Sequence, residues 1–153
     1  MVAVTSVLIF LNGLWAVGVD TYPVFGTFYD LMSSSRELAM RNFRSQGVTE
    51  EDLLGFVVEN IRRFRPMVAV GHDFAGEYGH VQHIVYADLL SQAIKVSMDP
   101  EAFPESAEKY GTWDIPKTYL HLYAENPSNA YKYAADLNSQ INAWKEYEQM
   151  QAI

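Results

Sequence analysis

The side chains best suited to chemistry lie in one stretch, Gly71-His-Asp-Phe-Ala-Gly-Glu-Tyr-Gly-His-Val-Gln-His83, which holds three of the chain's four histidines and two carboxylates. An imidazole can ligate a metal, move a proton near neutral pH or donate to a developing oxyanion, and a nearby carboxylate can serve as base or hold a ring in place. His80 and His83 are three apart, so at the start of a helix they share one face. His83, Ala87, Leu90 and Ile94 follow an i, i+4, i+7, i+11 course, which puts His83 on the inward stripe. A helix N-terminus disfavours imidazolium and keeps His83 neutral for a metal, while His80 is placed to donate to an oxyanion. The same spacing also suits two histidines that cap backbone groups or bond a carboxylate, and two imidazoles fall short of the three protein ligands of a catalytic zinc. Asp73 and Glu77 read as carboxylates supporting a site, as a base, or as solvated loop acids. Tyr78 reads as a packing residue with a polar tip.

Elements on either side must hold this stretch. Met67-Val-Ala-Val, an apolar run between Pro66 and Gly71, predicts a short strand covered on both faces, and the residues from Gly79 to about Val96 predict a helix. In open α/β sheets ligands bind beyond the carboxyl ends of the strands, which is where this loop falls. Upstream, Val4 to Val17 predicts a first helix, Asp20 to Gly26 an extended or turning segment, and Ser35 to Ser45 a second helix ended by Gly47. The third helix has the plainest signals: Thr49 as N-cap, Glu50, Glu51 and Asp52 in its positive first turn, and Arg62, Arg63 and Arg65 at its negative end before Pro66. Those arginines read as a helix-end feature rather than an anion site, and Leu53, Val57, Ile61 and Phe64 as the buried stripe. Tyr119-Leu-His-Leu-Tyr123 predicts another strand, with His121 as a structural histidine. Tyr133, Leu137, Ile141 and Trp144 mark an amphipathic C-terminal helix, and Trp15, Trp113 and Trp144 read as core or rim.

The chain has 153 residues, 49% of them hydrophobic, which suits a single domain over 1–153. Eleven basic against nineteen acidic side chains leave a net charge of −8, which argues against nucleic acid as partner and for a small molecule or a protein. With no cysteine, thiolate metal sites, cysteine nucleophiles and disulfide frameworks are excluded. Met1 to Val19 carries no charged side chain. It has no basic flank and contains Asn12, Gly13 and Gly18, so a buried helix is expected there rather than a signal or a membrane span, and the cytoplasm is the expected compartment.

With these residues in place, the chain resembles the PIG-L/LmbE-like family of zinc-dependent N-deacetylases, in particular the bacterial branch with a Gly-Glu-Tyr-Gly-His motif, here Gly76 to His80. Further stretches carry the likeness: Pro23-Val-Phe-Gly26, Val58 to Pro66, Gly71-His-Asp73, Pro104 to Gly111 and Pro116 to Tyr123, within a span from Gly13 to Pro127. The resemblance implies an α/β, Rossmann-like three-layer fold with a mostly parallel sheet, and hydrolysis of an acetamide on an N-acetylglucosamine-type substrate by one zinc and an activated water. By motif position His83 would bind the zinc. His80 would stabilise the oxyanion or protonate the leaving amine, and Tyr78 would line the pocket; Asp73, read from its place beside the histidines, is the further catalytic candidate.

Two departures qualify what the resemblance implies. Family members carry a His-Pro-Asp-Asp segment after their first strand that supplies two zinc ligands and the base, and no histidine of this chain is followed by proline. Gln82 stands where many relatives place an aspartate, and the family pattern fades after Pro127, leaving 128–153 as a divergent C-terminal helix. The expectation is therefore a partial deacetylase-like domain lacking the first strand and its zinc-binding loop, impaired or inactive as an isolated chain. A complementing N-terminal segment, or a second copy as homo-oligomer, is the expected macromolecular partner. The alternative is a non-catalytic remnant that acts as a binding or self-association module through an unpaired sheet edge.

Overall fold

The structure is a computed structural model, and it describes residues 2–28, 32–74, 76, 80–121 and 144–147. The described residues form, in order, α1 (Val2–Ala16), α2 (Arg36–Ser45), α3 (Glu50–Phe64), β1 (Val68–His72), α4 (Val81–Val96), α5 (Pro104–Tyr110), β2 (Lys117–His121) and β3 (Trp144–Tyr147).

Local chemistry sets the helix ends. Ser35 caps α2 by accepting from the Leu38 N–H. Thr49 and Asp52 form a reciprocal capping box on α3: the Thr49 hydroxyl accepts from the Asp52 N–H at 3.1 Å, and the Asp52 carboxylate accepts from the Thr49 N–H at 2.7 Å. At the other end Arg65 adopts the left-handed conformation, and Pro66 follows where the helix cannot continue. The Arg36 guanidinium joins three helices by donating to Glu50 of α3 and, at 2.6 Å, to Asp88 of α4.

β1 and β2 pair in parallel, linked through α4 and α5 as a β-α-β crossover, and β3 pairs antiparallel to β2. The described residues thus form a mixed helix and strand structure compatible with α/β, with one parallel and one antiparallel pairing. Along β1, Ala69 and Gly71 are buried with their register partners Thr118 and Leu120, whereas Val68 and Val70 are 48% and 51% exposed. The expectation that this strand is covered on both faces is therefore corrected. Its valines made it read as buried throughout, but the covered face is the one with the small residues. A Cβ on Gly71 would lie 2.7 Å from Leu90 Cδ2, so glycine is what lets α4 sit this close to the strand.

The core lies on that covered side. Ala39, Met40, Leu53, Val81, Val85 and Leu89 join α2, α3 and α4. Val58, Ile61, Ala69, Leu90, Ala93 and Ile115 join α3, β1, α4 and the entry to β2. Leu53 and Ile61 are buried as expected, but Phe64 is 53% exposed and the stripe turns to include Val58 and Arg62. Arg62 is the principal correction to the reading of α3. It is fully buried, and its guanidinium donates to the carbonyls of Val96, Ser97, Asp99 and Phe103 and to the Ser106 hydroxyl. A planar fork with five N–H groups can tie the carbonyls at the end of α4 to those of the turn that leads into α5, which a lysine could not do at once. Burial pushes the Arg62 pKa down, with the Asp99 charge acting the other way.

α1 forms where a helix was expected, but not as a buried one. Leu8, Phe10, Trp15 and Val17 are half or more exposed, so Trp15 is neither core nor rim. No helix among the described residues is long and apolar enough to cross a membrane. Trp144 to Tyr147, placed in a C-terminal helix by sequence, form strand β3 instead, and the rest of 128–153 lies outside the described residues. The short helix α5 was not anticipated. Phe103, in the left-handed conformation, lays its ring over Gly55 of α3, where a Cβ would meet that ring at 3.0 Å.

Candidate functional site

The carboxyl end of the parallel pair and the first turn of α4 meet at the histidines. β1 ends at His72, whose register partner is His121, the last residue of β2. The chain then turns, with the Gly76 N–H donating to the Asp73 carbonyl at 2.9 Å and Gly76 at φ +75°. It enters α4 through His80, the N-cap, whose carbonyl accepts from the N–H groups of His83 and Ile84. The His80 ring makes no capping hydrogen bond, and the residue is exposed. Of the two sequence readings of His80, the one that spends its imidazole on the helix end is therefore not what the structure contains.

Three rings gather here. His80 and His83 have ring centroids 5.1 Å apart with planes inclined by 34°. His72 stacks on His83, with centroids 4.1 Å apart and planes within 5° of parallel. Tyr86, one turn further along α4, stands nearly perpendicular to His72 at 5.6 Å. Burial raises the Tyr86 pKa above the ordinary phenol value, so its hydroxyl stays protonated through the neutral range.

The sequence-derived residues fall as follows. His80 and His83 are brought together, and Ala87 and Leu90 are buried along the stripe on which His83 was placed. Asp73 is half-buried at the turn after β1. Tyr78, and with it Glu77, lies outside the described residues. Tyr86 was not among the residues assigned to the site, and His72 was considered there only as a replacement metal ligand beside Asp73. Their signals were weak but present: His72 closes the strand at the expected ligand end, and Tyr86 lies three residues after His83 on α4.

Whether these residues suit zinc is a question of ring geometry. An imidazole binds through a nitrogen lone pair in the plane of its ring, at about 2.0–2.1 Å. The His80 and His83 planes intersect, so one ion can lie in both. The nearly parallel planes of His72 and His83 share no such point. Among the described residues no group of three or more histidine, aspartate or glutamate side chains is placed to hold a metal ion. They therefore do not by themselves fit a catalytic zinc, which takes three protein ligands and an open position. A cavity of about 410 Å³ lies elsewhere, between α3 and α5, lined by Gly55, Glu59, Phe103, Glu105 and Lys109 among others and by none of the histidines. With Glu59 and Lys109 exposed and 3.8 Å apart, it is a surface cleft over the Arg62 anchor rather than part of the histidine site.

No family model matches the chain. Similarity to characterised proteins is partial and consistent in kind. The chain is 39% identical over 69 residues to 1D-myo-inositol 2-acetamido-2-deoxy-alpha-D-glucopyranoside deacetylase 2 of Saccharopolyspora erythraea, covering 45% of this chain and 24% of that protein. It is 32% identical over 89 residues to deacetylase 1 of the same description from Frankia alni, covering 58% and 29%. It is 31% identical over 103 residues to a mycothiol S-conjugate amidase of Streptomyces coelicolor, covering 61% and 34%. The chain thus spans about a quarter to a third of the length of the relatives it matches, and over that span it is similar to enzymes that cleave amides of amino-sugar conjugates.

Proposed function

We propose that this chain carries part of the active site of a PIG-L/LmbE-like N-deacetylase, and that the bond cleaved is the acetamide of an N-acetylglucosamine-type conjugate. The carrying observation is the convergence of the His80 and His83 rings at the carboxyl end of a parallel strand pair. The names of the partial relatives support the substrate class. In this reading His83 is the metal-directed imidazole. His80, exposed and not used in capping, donates to the oxyanion of the tetrahedral intermediate or returns a proton to the leaving amine. Asp73 supports the site from the turn after β1, and Tyr78 lines it. In this reading turnover by the chain alone is weak or absent, because the sequence has no His-Pro-Asp-Asp segment.

The test is acetate release from an N-acetylglucosaminyl inositol with zinc added, alongside binding of the same compound measured by calorimetry. Release that His83→Ala abolishes, and that His80→Ala lowers by about 10²–10³-fold, supports hydrolysis by this chain. Binding without release supports a site awaiting completion. Absence of both binding and release would refute the proposal. A second reading, a self-association module, is favoured by the exposed Val68 and Val70 on β1 and the exposed apolar side chains of α1. A column profile that shifts from oligomer to monomer on dilution would support it.

A further inference from the structure

We infer that the cleft between α3 and α5 is a second binding site, for a small ring-shaped molecule that carries one ammonium group. It uses neither His80 nor His83. Its floor breaks two local rules at once. Gly55 lies in the interior of α3, where glycine weakens a helix, and Phe103 takes the left-handed conformation at φ 50°, which bulky residues rarely adopt. The two meet, because a Cβ on Gly55 would lie 3.0 Å from Cε1 of the Phe103 ring. Departures of this kind persist where the surroundings over-determine them, and they gather at ligand sites.

Those surroundings are rigid. The Phe103 carbonyl accepts from Arg62 at 2.9 Å, from the Ser106 hydroxyl at 3.0 Å, and from the N–H groups of Ser106 and Ala107. Arg62 also donates to the Ser106 hydroxyl, so the buried guanidinium fastens two residues of the cleft from its inner side. Gly55 and Glu59 are one turn apart on α3, and Glu105 and Lys109 one turn apart on α5, so each wall is a helix face. The cleft holds about 410 Å³, within the roughly 300–1,000 Å³ of small-molecule sites.

Charge selects the ligand. Two carboxylates, of Glu59 and Glu105, face one ammonium group, of Lys109. Lys109 Nζ stands 3.8 Å from Glu59 and also 4.8 Å from the centre of the Tyr110 ring, and Glu105 makes no ion pair among the described residues. One negative charge is left over, which a monocation cancels and an anion or a neutral molecule does not. The Phe103 ring adds a surface that packs on an apolar ring and attracts a cation over its face. Glu59 and Lys109 are open to water, so each charge pair contributes modestly and affinity in the millimolar range is expected.

The probes are glucosamine and N-acetylglucosamine, one ring with and without the charge, titrated into the full isotope-labelled chain at low salt and followed by the amide NMR signals of Gly55, Phe103 and Glu105. The choice of an amino sugar rests on the proposed function, whereas the charge argument does not. Glucosamine is expected to shift these signals saturably, and N-acetylglucosamine to do so about three- to five-fold more weakly. Glu105→Gln should weaken glucosamine by a similar factor at an unchanged thermal midpoint. Lys109→Met removes the competing cation and should strengthen it. Equal affinity for the two sugars, signals that do not move, or tighter binding in Glu105→Gln than in Lys109→Met would each overturn the inference. Acetate release that fails while the cleft signals still respond counts against the proposed function alone, and the reverse result against the cleft alone.

Discussion

Gly76→Ala tests how tightly the turn after β1 holds the entrance to α4. Gly76 sits at φ +75°, and a Cβ there would lie 2.6 Å from Ile84 Cγ1 and 2.8 Å from the His80 carbonyl oxygen. The left-handed conformation costs an L-residue about 1–2 kcal/mol. Forcing a methyl group into occupied space costs about 1–3 kcal/mol more. Alanine also reduces the freedom of the unfolded chain, returning about 0.4–1 kcal/mol. The expected net loss is about 1–4.5 kcal/mol, a large part of the roughly 5–15 kcal/mol that holds a domain together. With a loss of about 3 kcal/mol and a urea slope of about 2 kcal/mol per molar, the middle of each range, the unfolding midpoint should fall by about 1.5 M. The two contacts can be separated. Ile84 is a side chain that can yield, whereas the His80 oxygen is backbone and already accepts from His83 and Ile84. In an Ile84→Ala background the Gly76→Ala cost should shrink by roughly 1 kcal/mol and no further, because the strained φ and the carbonyl clash remain. A Gly76→Ala protein within about 0.5 kcal/mol of native would refute the reasoning, as would complete relief in the Ile84→Ala background.

Three other perturbations follow from the same structure. Arg62→Met, which keeps the stem but removes the guanidinium's five hydrogen bonds and leaves the Asp99 carbonyl without its Arg62 donor, should cost about 3–5 kcal/mol in denaturant unfolding and leave the His72–His83 stack in place; Arg62→Lys should recover part of that loss. The Asp52 carboxylate is held below its ordinary pKa of 3.8 by the Thr49 hydroxyl and N–H, so the stability it contributes is present above that value and is lost as pH falls through the lower folded-state pKa. Urea midpoints measured from about pH 5 down to pH 2 should show Asp52→Asn with a shallower acid limb than native. Val70→Glu, on the exposed face of β1, should leave the unfolding midpoint within about 0.5 kcal/mol while suppressing any self-association seen by sedimentation; a large loss of stability would mean the face is covered after all.

What the sequence makes legible is what is encoded locally. Ser35 and Thr49 bond backbone groups three residues away, and Gly47 and Pro66 act where they stand, so the limits of α2 and α3 follow from residue types alone. The burial of β1 does not. Val68 and Val70 are as apolar as any core residue, and whether a layer covers them depends on elements far away in the chain, which no run of hydrophobic letters records. Arg62 fails for the same reason in the opposite direction. Three arginines near a helix end look alike, but one turns inward because the carbonyls of Val96, Ser97, Asp99 and Phe103, all more than thirty residues away, converge there.

The candidate site divides along the same line. His80 and His83 are linked by helical spacing, so their meeting is readable from the letters, whereas His72 reaches them only because β1 and α4 pack with Gly71 against Leu90. Spacing, moreover, tells which rings are near and not how they face. The distinction has chemical weight here, since of two rings set against His83 that of His72 is parallel to it and that of His80 is inclined. Metal chemistry selects on the direction of a lone pair, so two rings that lie face to face do not both offer one ion an in-plane nitrogen. A strand-end histidine stacked face to face on the first turn of the following helix is therefore a relation that a motif of histidine spacings does not encode.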